Sequence, residues 1–121
     1  MDKNESRKVA YVRDWLTAFT KYRFKNEGQF PGSFNEASPF WETDSDLAAD
    51  FNPSQFKLVY RGSWKALRKP NEIILIAERN ALQGPDGTWS KVYGMADGSV
   101  VQQRGDLAFF EAWERETRGN N

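Results

Sequence analysis

Trp89-Ser90-Lys91-Val92-Tyr93-Gly94-Met95-Ala96-Asp97-Gly98-Ser99-Val100-Val101-Gln102-Gln103 is the stretch that decides the fold. Trp89, Lys91, Tyr93 and Met95 alternate with Ser90, Val92 and Gly94, the period of two that marks a strand. Asp97-Gly98 then separates this run from a second one, Ser99 to Gln103. Asp-Gly between such runs predicts a two-residue hairpin turn with positive φ at both residues. Upstream, Glu72 to Glu78 has a continuous Ile/Leu interior, which predicts a central strand covered on both faces. Gly84-Pro85-Asp86-Gly87 marks a turn between the two. Residues 72–103 therefore read as an antiparallel meander. Phe56-Lys57-Leu58-Val59-Tyr60-Arg61 adds a half-buried strand before it, with Phe56, Leu58 and Tyr60 directed inward, so the sheet spans 56–103 with about four strands.

Helical periodicity flanks this sheet. Over residues 5–27, Val9, Tyr11, Val12, Trp15, Leu16, Phe19 and Tyr22 fall within an arc of about 160°, the stripe of a helix laid on a core, and Phe24 alone sits opposite. Asn4 is the expected N-cap, and Gly28 followed by Pro31 the expected stop. Residues 28–55 read as an irregular arm, broken by Pro31, Gly32 and Pro39. A short helix at Asp44 to Phe51 lies within it, and Phe34, Phe40, Trp41, Leu47 and Phe51 lie against the core. Asp106 is placed to cap a closing helix over 106–117 with Leu107, Phe109, Phe110 and Trp113 inward. Gly119-Asn120-Asn121 reads as a frayed tail. The whole, 1–121, is expected to be a single α+β domain: a long helix packed on an antiparallel sheet, with a second helix closing it.

Composition narrows the chemistry. The 121 residues contain no Cys and no His, which excludes thiol nucleophiles, disulfides, Cys/His zinc sites and catalytic relays built on imidazole. Seventeen basic and seventeen acidic residues cancel, which argues against a module that neutralises many phosphates. The balance hides a segregation. Residues 31–56 carry Glu36, Glu42, Asp44, Asp46 and Asp50 and no base, whereas 57–70 carry Lys57, Arg61, Lys65, Arg68 and Lys69 and no acid. The longest apolar run, Ile73 to Ala77, is far below the ~20 residues of a membrane span. As written the chain reads as soluble, with no compartment assigned.

Two segments carry a resemblance. Leu16-Thr17-Ala18-Phe19-Thr20-Lys21-Tyr22-Arg23-Phe24-Lys25-Asn26-Glu27-Gly28-Gln29-Phe30-Pro31 resembles the end of the long N-terminal helix of pilin-like proteins, the pseudopilins of type II secretion and related prepilin-type proteins. Lys69-Pro70-Asn71-Glu72-Ile73-Ile74-Leu75-Ile76-Ala77-Glu78, with Val92-Tyr93-Gly94-Met95-Ala96-Asp97-Gly98-Ser99-Val100, is similar to their C-terminal hairpin. The resemblance covers about residues 9–103. It implies a non-catalytic domain that works by protein–protein contact or self-association in a secretion or pilus-like assembly, at the cell envelope or in the periplasm. It also implies an apolar membrane helix upstream, which Met1 to Lys8 does not supply. The calcium site of major pseudopilins is not carried over, because the corresponding loop offers Asp86 and few other oxygens against the usual six to eight. No metal, cofactor or small-molecule substrate is expected.

The residues singled out on this reading are the hairpin pair Asp97 and Gly98 and two contact surfaces. Glu42, Asp44 and Asp46 belong to the acidic arm; Arg61, Trp64, Lys65 and Arg68 belong to the basic connection. Two other readings stay open. Glu78 and Asp97 could be paired carboxylates of a small acid–base enzyme or a ligand-binding pocket, although pairing of Glu78 with Arg79 or Lys91 is the plainer expectation. Trp64 with its basic neighbours could contact single-stranded nucleic acid.

Overall fold

The computed structural model describes residues 3–117. Helix α1 (Lys3–Lys25) is followed by a short helix α2 (Phe34–Ala37), a 3-10 turn (Ser38–Phe40) and helix α3 (Ser45–Asp50). Strands β1 (Phe56–Leu58), β2 (Ile74–Glu78), β3 (Leu82–Gln83), β4 (Trp89–Met95) and β5 (Val100–Gly105) come next, and α4 (Leu107–Thr117) closes the chain. The α+β class and the antiparallel sheet agree with the sequence pattern. The strand at 56–61 is shorter than expected, β5 runs two residues further than Gln103, and β3 is additional to the expected strands. The Gly119–Asn121 tail lies outside the described residues.

Strand β4 organises the sheet. On one side it pairs with β5 from Trp89↔Gly105 to Gly94↔Val100. On the other it pairs with β2 through Tyr93, Gly94 and Met95, and with β3 through Trp89 and Ser90. β1 extends the sheet beyond β2. A bulge between Ile74 and Ile76 inserts an extra residue into β2. Leu75 and Ile76 consequently both join the cluster beneath α1, while Ile74 and Ala77 join the cluster on the opposite face.

Each face of the sheet has its own cover. α1 lays Tyr11, Val12, Trp15, Leu16 and Phe19 on one face, and the arm adds Phe34, Trp41, Leu47 and Phe51 to the same core. Trp41 stacks on Trp15 with centroids 4.4 Å apart. On the other face, Trp113 of α4 packs with Ile74, Ala77, Tyr93 and Met95. Gly94 permits the close seating of α1, since a Cβ there would lie 2.9 Å from Leu16 Cδ2. The covered-on-both-faces reading of β2 holds, with all five of its residues buried.

Several local expectations are corrected. Asn4 lies inside α1 and is therefore not its N-cap. At the other end the Gly28 N–H donates to the Arg23 carbonyl at 2.7 Å, the six-to-one bond of a Schellman ending, so the left-handed position falls on Glu27, φ 57°, one residue before the glycine. The Asp97-Gly98 hairpin is a three-residue loop. Met95 N–H donates to Ser99 O and Gly98 N–H to Met95 O, and among the three loop residues only Gly98 has positive φ. This is a type I turn closed by a glycine bulge. Leu107 and Phe109 of α4 are 53% and 39% exposed, whereas Phe110 is buried. The expected cap is present, with Phe109 N–H donating to Asp106 Oδ1 at 2.8 Å.

Candidate functional site

The hairpin pair repeats a device found once more in the chain. At the β3–β4 connection Gly84 N–H donates to Thr88 O and Gly87 N–H to Gly84 O, with Gly87 at φ 85°. Asp86 Oδ1 accepts from Thr88 N–H, and Asp97 Oδ1 accepts from Ser99 N–H, both at 3.0 Å. The bond from Thr88 leads the interactions that hold the Asp86 carboxyl below the ordinary carboxylate range. Pro85-Asp86-Gly87-Thr88 and Ala96-Asp97-Gly98-Ser99 thus follow one pattern in which Asp braces the backbone two residues on. Asp97 and Gly98 are accounted for as turn residues.

Glu78 and Asp97 are not brought together. Ala96 N–H bonds to Ile73 O, so Asp97 sits beside the start of β2 while Glu78 ends it, about 17 Å away at ~3.3 Å per residue. Glu78 serves the sheet instead. Between the last residue of β2 and the first of β3, the Val92 N–H has no strand partner, and Glu78 Oε1 accepts it at 3.1 Å. The other oxygen, Oε2, accepts from Lys8 Nζ at 2.7 Å, with the two side chains only 6% and 8% exposed. Neither Arg79 nor Lys91 pairs with Glu78. Arg79 Nε donates to Ser54 O, and Lys91 Nζ lies 2.7 Å from Glu114 Oε2. Glu78 does border a cleft of about 310 Å³ with Lys8, Asp50, Gln55, Asn80 and Leu82.

A second polar network joins β4 to α4. Glu114 Oε2 accepts from both Lys91 Nζ and Tyr93 OH at 2.7 Å. Burial pushes the Tyr93 phenol up strongly, and its hydrogen bond to Glu114 adds to this. Burial alone would raise the Glu114 carboxyl. The hydrogen bonds from Lys91 and Tyr93 and the charges of Lys91 and Lys57 outweigh it, and hold the carboxyl below the ordinary range. Sequence reasoning misses both networks, because neither Lys8 with Glu78 nor Lys91 with Glu114 is marked by any spacing.

The two charged segments take defined places relative to α1. Asp44 and Asp46 face Ser6, Arg7 and Ala10 across a groove of about 550 Å³ near the start of the helix. Thr43 Oγ1 donates to Asp14 Oδ2 at 2.7 Å, and Arg7 pairs with Asp50. The basic connection packs at the other end. Trp64 N–H donates to Gly28 O, Gln29 Nε2 donates to Arg61 O, and the Lys65 chain lies over Gly28. The Arg23 guanidinium covers one face of Trp64 at 4.1 Å, and Phe30 meets the ring at 73°. Trp64 is thereby built into the core margin. Asp44 and Asp46 beside the start of α1, and Arg61 and Lys65 beside its end, are exposed, as are Glu42, next to residues that meet the middle of α1, and Arg68; Glu36 of the acidic arm lies near the end of the helix, where its carboxylate accepts from Tyr22 OH. Arg7 and Arg23, which mark the two poles, are about 24 Å apart along the axis at ~1.5 Å per residue.

Among the described residues no group of three potential metal-ligating side chains occurs, and no helix is long and apolar enough to cross a membrane. Fold and surface together define an α+β domain with helices on both faces of an antiparallel sheet, with Asp44 and Asp46 beside the start of its long helix and Arg61 and Lys65 beside its end. No protein-family model matches the chain, and no curated protein or solved structure matches it.

Proposed function

We propose that this is a non-catalytic, pilin-like interaction domain, in or derived from a type II secretion or pilus-like assembly, whose contacts run head to tail. The observation that carries the reading is the placement of exposed charge: Asp44 and Asp46 beside the start of α1, and Arg61 and Lys65 beside its end. Each pole also matches the local sign of the helix dipole, with carboxylates near the positive N-terminus and cations near the negative C-terminus. Stacked copies, or a partner with the same polarity, would bring opposite poles together, which favours register and orientation more than raw affinity. The long helix running out into the turn at Glu27 and Gly28, and the hairpin at Ala96–Ser99, are the parts that support the pilin-like reading. Reversing Arg61, Lys65 and Arg68 to Glu is the direct test. Loss of self-association or of partner binding is the expected result, and unchanged association would overturn the reading.

A further inference from the structure

We infer that the outer edge of β1 is the receiving surface of the head-to-tail contact, and that it takes the extended segment Glu42-Thr43-Asp44 of a second copy as an added strand. The inference rests on that reading and names the two surfaces that meet. A cleft of about 280 Å³ is lined by Gly32 and Ser33 of the arm, by Phe56 and Leu58 of β1, and by Arg61 and Arg79. Both arginines are exposed.

Pairing with β2 fixes which backbone groups of β1 are left over. Val59 N–H donates to Leu75 O and Arg79 N–H to Gln55 O. Hydrogen-bonded and non-hydrogen-bonded pairs alternate along an antiparallel ladder, so Lys57↔Ala77 between them is a bonded pair. Phe56 and Leu58 therefore turn their N–H and C=O away from β2. The Phe56 N–H is taken by Pro53 O. The Leu58 N–H and C=O have no partner among the described residues. An edge that offers a donor and an acceptor side by side is the template on which an extended segment adds a strand.

Charge selects the occupant. Arg61 and Arg79 make no ion pair among the described residues, and Arg79 engages only its Nε, which donates to Ser54 O. Glu36, the carboxylate beside Gly32, already accepts from Gly32 N–H and Tyr22 OH. Glu42 and Asp44 are exposed and likewise make no ion pair among the described residues. Their segment is extended at both ends, with Trp41 at φ −85°, ψ 130° and Asp44 at φ −66°, ψ 145°. The N–H and C=O of Glu42 and Thr43 make no backbone hydrogen bond among the described residues. Set antiparallel with Thr43 opposite Leu58, the segment exchanges two backbone hydrogen bonds with β1. The same register carries Glu42 toward the Arg61 end of β1 and Asp44 toward the Arg79 end, where guanidinium–carboxylate bonds add to it. The contact is heterologous, so each added copy brings a fresh edge and a fresh segment.

Because the chain has no cysteine, two single variants report the contact. Directly opposed residues of a bonded pair lie ~5.5 Å apart at Cα, within disulfide range. Mild oxidation of an equimolar mixture of Leu58→Cys and Thr43→Cys chains should give at least tenfold more covalent dimer than either chain alone. Wild type supplies a second measurement: amide exchange at Leu58 should slow at least tenfold between dilute monomer and associated chain, while Lys57, already bonded to Ala77, should not change. Should either cysteine variant fail to fold, the exchange measurement decides. Arg79 lies outside the charged segment of the head-to-tail reading, and Arg79→Gln should weaken association at least threefold. A mixture that crosslinks no more than its components, a Leu58 amide left unprotected in the associated wild type, or unchanged association of Arg79→Gln would overturn the inference. Association still abolished by reversing Arg61, Lys65 and Arg68 would then leave the head-to-tail reading standing without it. A wild-type chain that stays monomeric up to millimolar concentration would overturn the inference together with that reading.

Discussion

Lys8 and Glu78, 70 residues apart in sequence, meet at 2.7 Å in a buried ion pair that joins α1 to the break between β2 and β3. The carboxylate closes the gap in the sheet by accepting the Val92 N–H, and the ammonium offsets its charge. Removing one member of such a pair leaves an uncompensated buried charge and costs about 3–5 kcal/mol, whereas removing both charges often costs far less. Lys8→Met should therefore lower unfolding free energy by about 3 kcal/mol or more in urea titration. Adding Glu78→Gln, which keeps an acceptor for Val92, should recover much of that loss. Additive single effects would contradict the coupling.

Glu27 holds a left-handed backbone, φ 57°, at the end of α1, a conformation that costs an L-residue about 1–2 kcal/mol and glycine little. Glu27→Gly should raise stability by roughly 0.5–1 kcal/mol, after subtracting the extra entropy glycine has when unfolded. A thermal melt that shifts downward would show that the Glu27 side chain contributes more than its backbone costs.

Two glycines should respond to alanine for different reasons. At Gly94 the new methyl would collide with Leu16 and Val12 of α1, and overpacking of this kind costs about 1–3 kcal/mol. At Gly98 there is open space but φ is 93°, so the penalty is confined to the turn and is about 1 kcal/mol. Leu16→Ala should relieve Gly94→Ala and leave Gly98→Ala unchanged. Denaturant midpoints of the single variants and the two doubles test this.

The Lys91–Tyr93–Glu114 network makes stability depend on pH at both ends. The Glu114 carboxyl is held below its ordinary range. Its contribution is therefore present above the unfolded-state value near ~4.3 and is lost as pH falls through the lower folded value. The Tyr93 phenol is pushed up. Its contribution is complete below about pH 10 and declines above it, where the unfolded chain can ionise and the folded chain resists. Glu114→Gln should flatten the acid limb of the stability profile, and Tyr93→Phe the alkaline limb. Profiles parallel to wild type would rule the network out as the source.

Legibility follows locality. The α1 stripe, the alternation in β4, the α3 turn and the Asp106 cap are set by neighbours in sequence, and each is readable there. Leu107 and Phe109 are misassigned by their pattern because periodicity gives a helix an apolar side but not the part of it that a narrow sheet can cover; β5 leaves both exposed. The place of the turn at Asp97-Gly98 is plain in the sequence, yet its type depends on whether Met95 pairs with Gly98 or Ser99, which the dipeptide does not encode. The buried pairs are invisible for a related reason: Lys8 looks like a solvated lysine until α1 is laid across the sheet. The charged segments are legible as composition, but the placement of Asp44 and Asp46 and of Arg61 and Lys65 at opposite ends of α1 requires the connection to fold back on Gly28.

Sedimentation of charge-swapped chains tests the head-to-tail reading most directly. One variant carries Arg61→Glu, Lys65→Glu and Arg68→Glu; the other carries Glu42→Lys, Asp44→Lys and Asp46→Lys. Wild-type association should weaken with added salt, as contacts between exposed charges are screened beyond ~10 Å at about 0.1 M. Each variant alone should sediment as a species smaller than wild type, and an equimolar mixture should regain association. Wild type and both variants sedimenting alike, with no gain on mixing, would contradict contact through these poles.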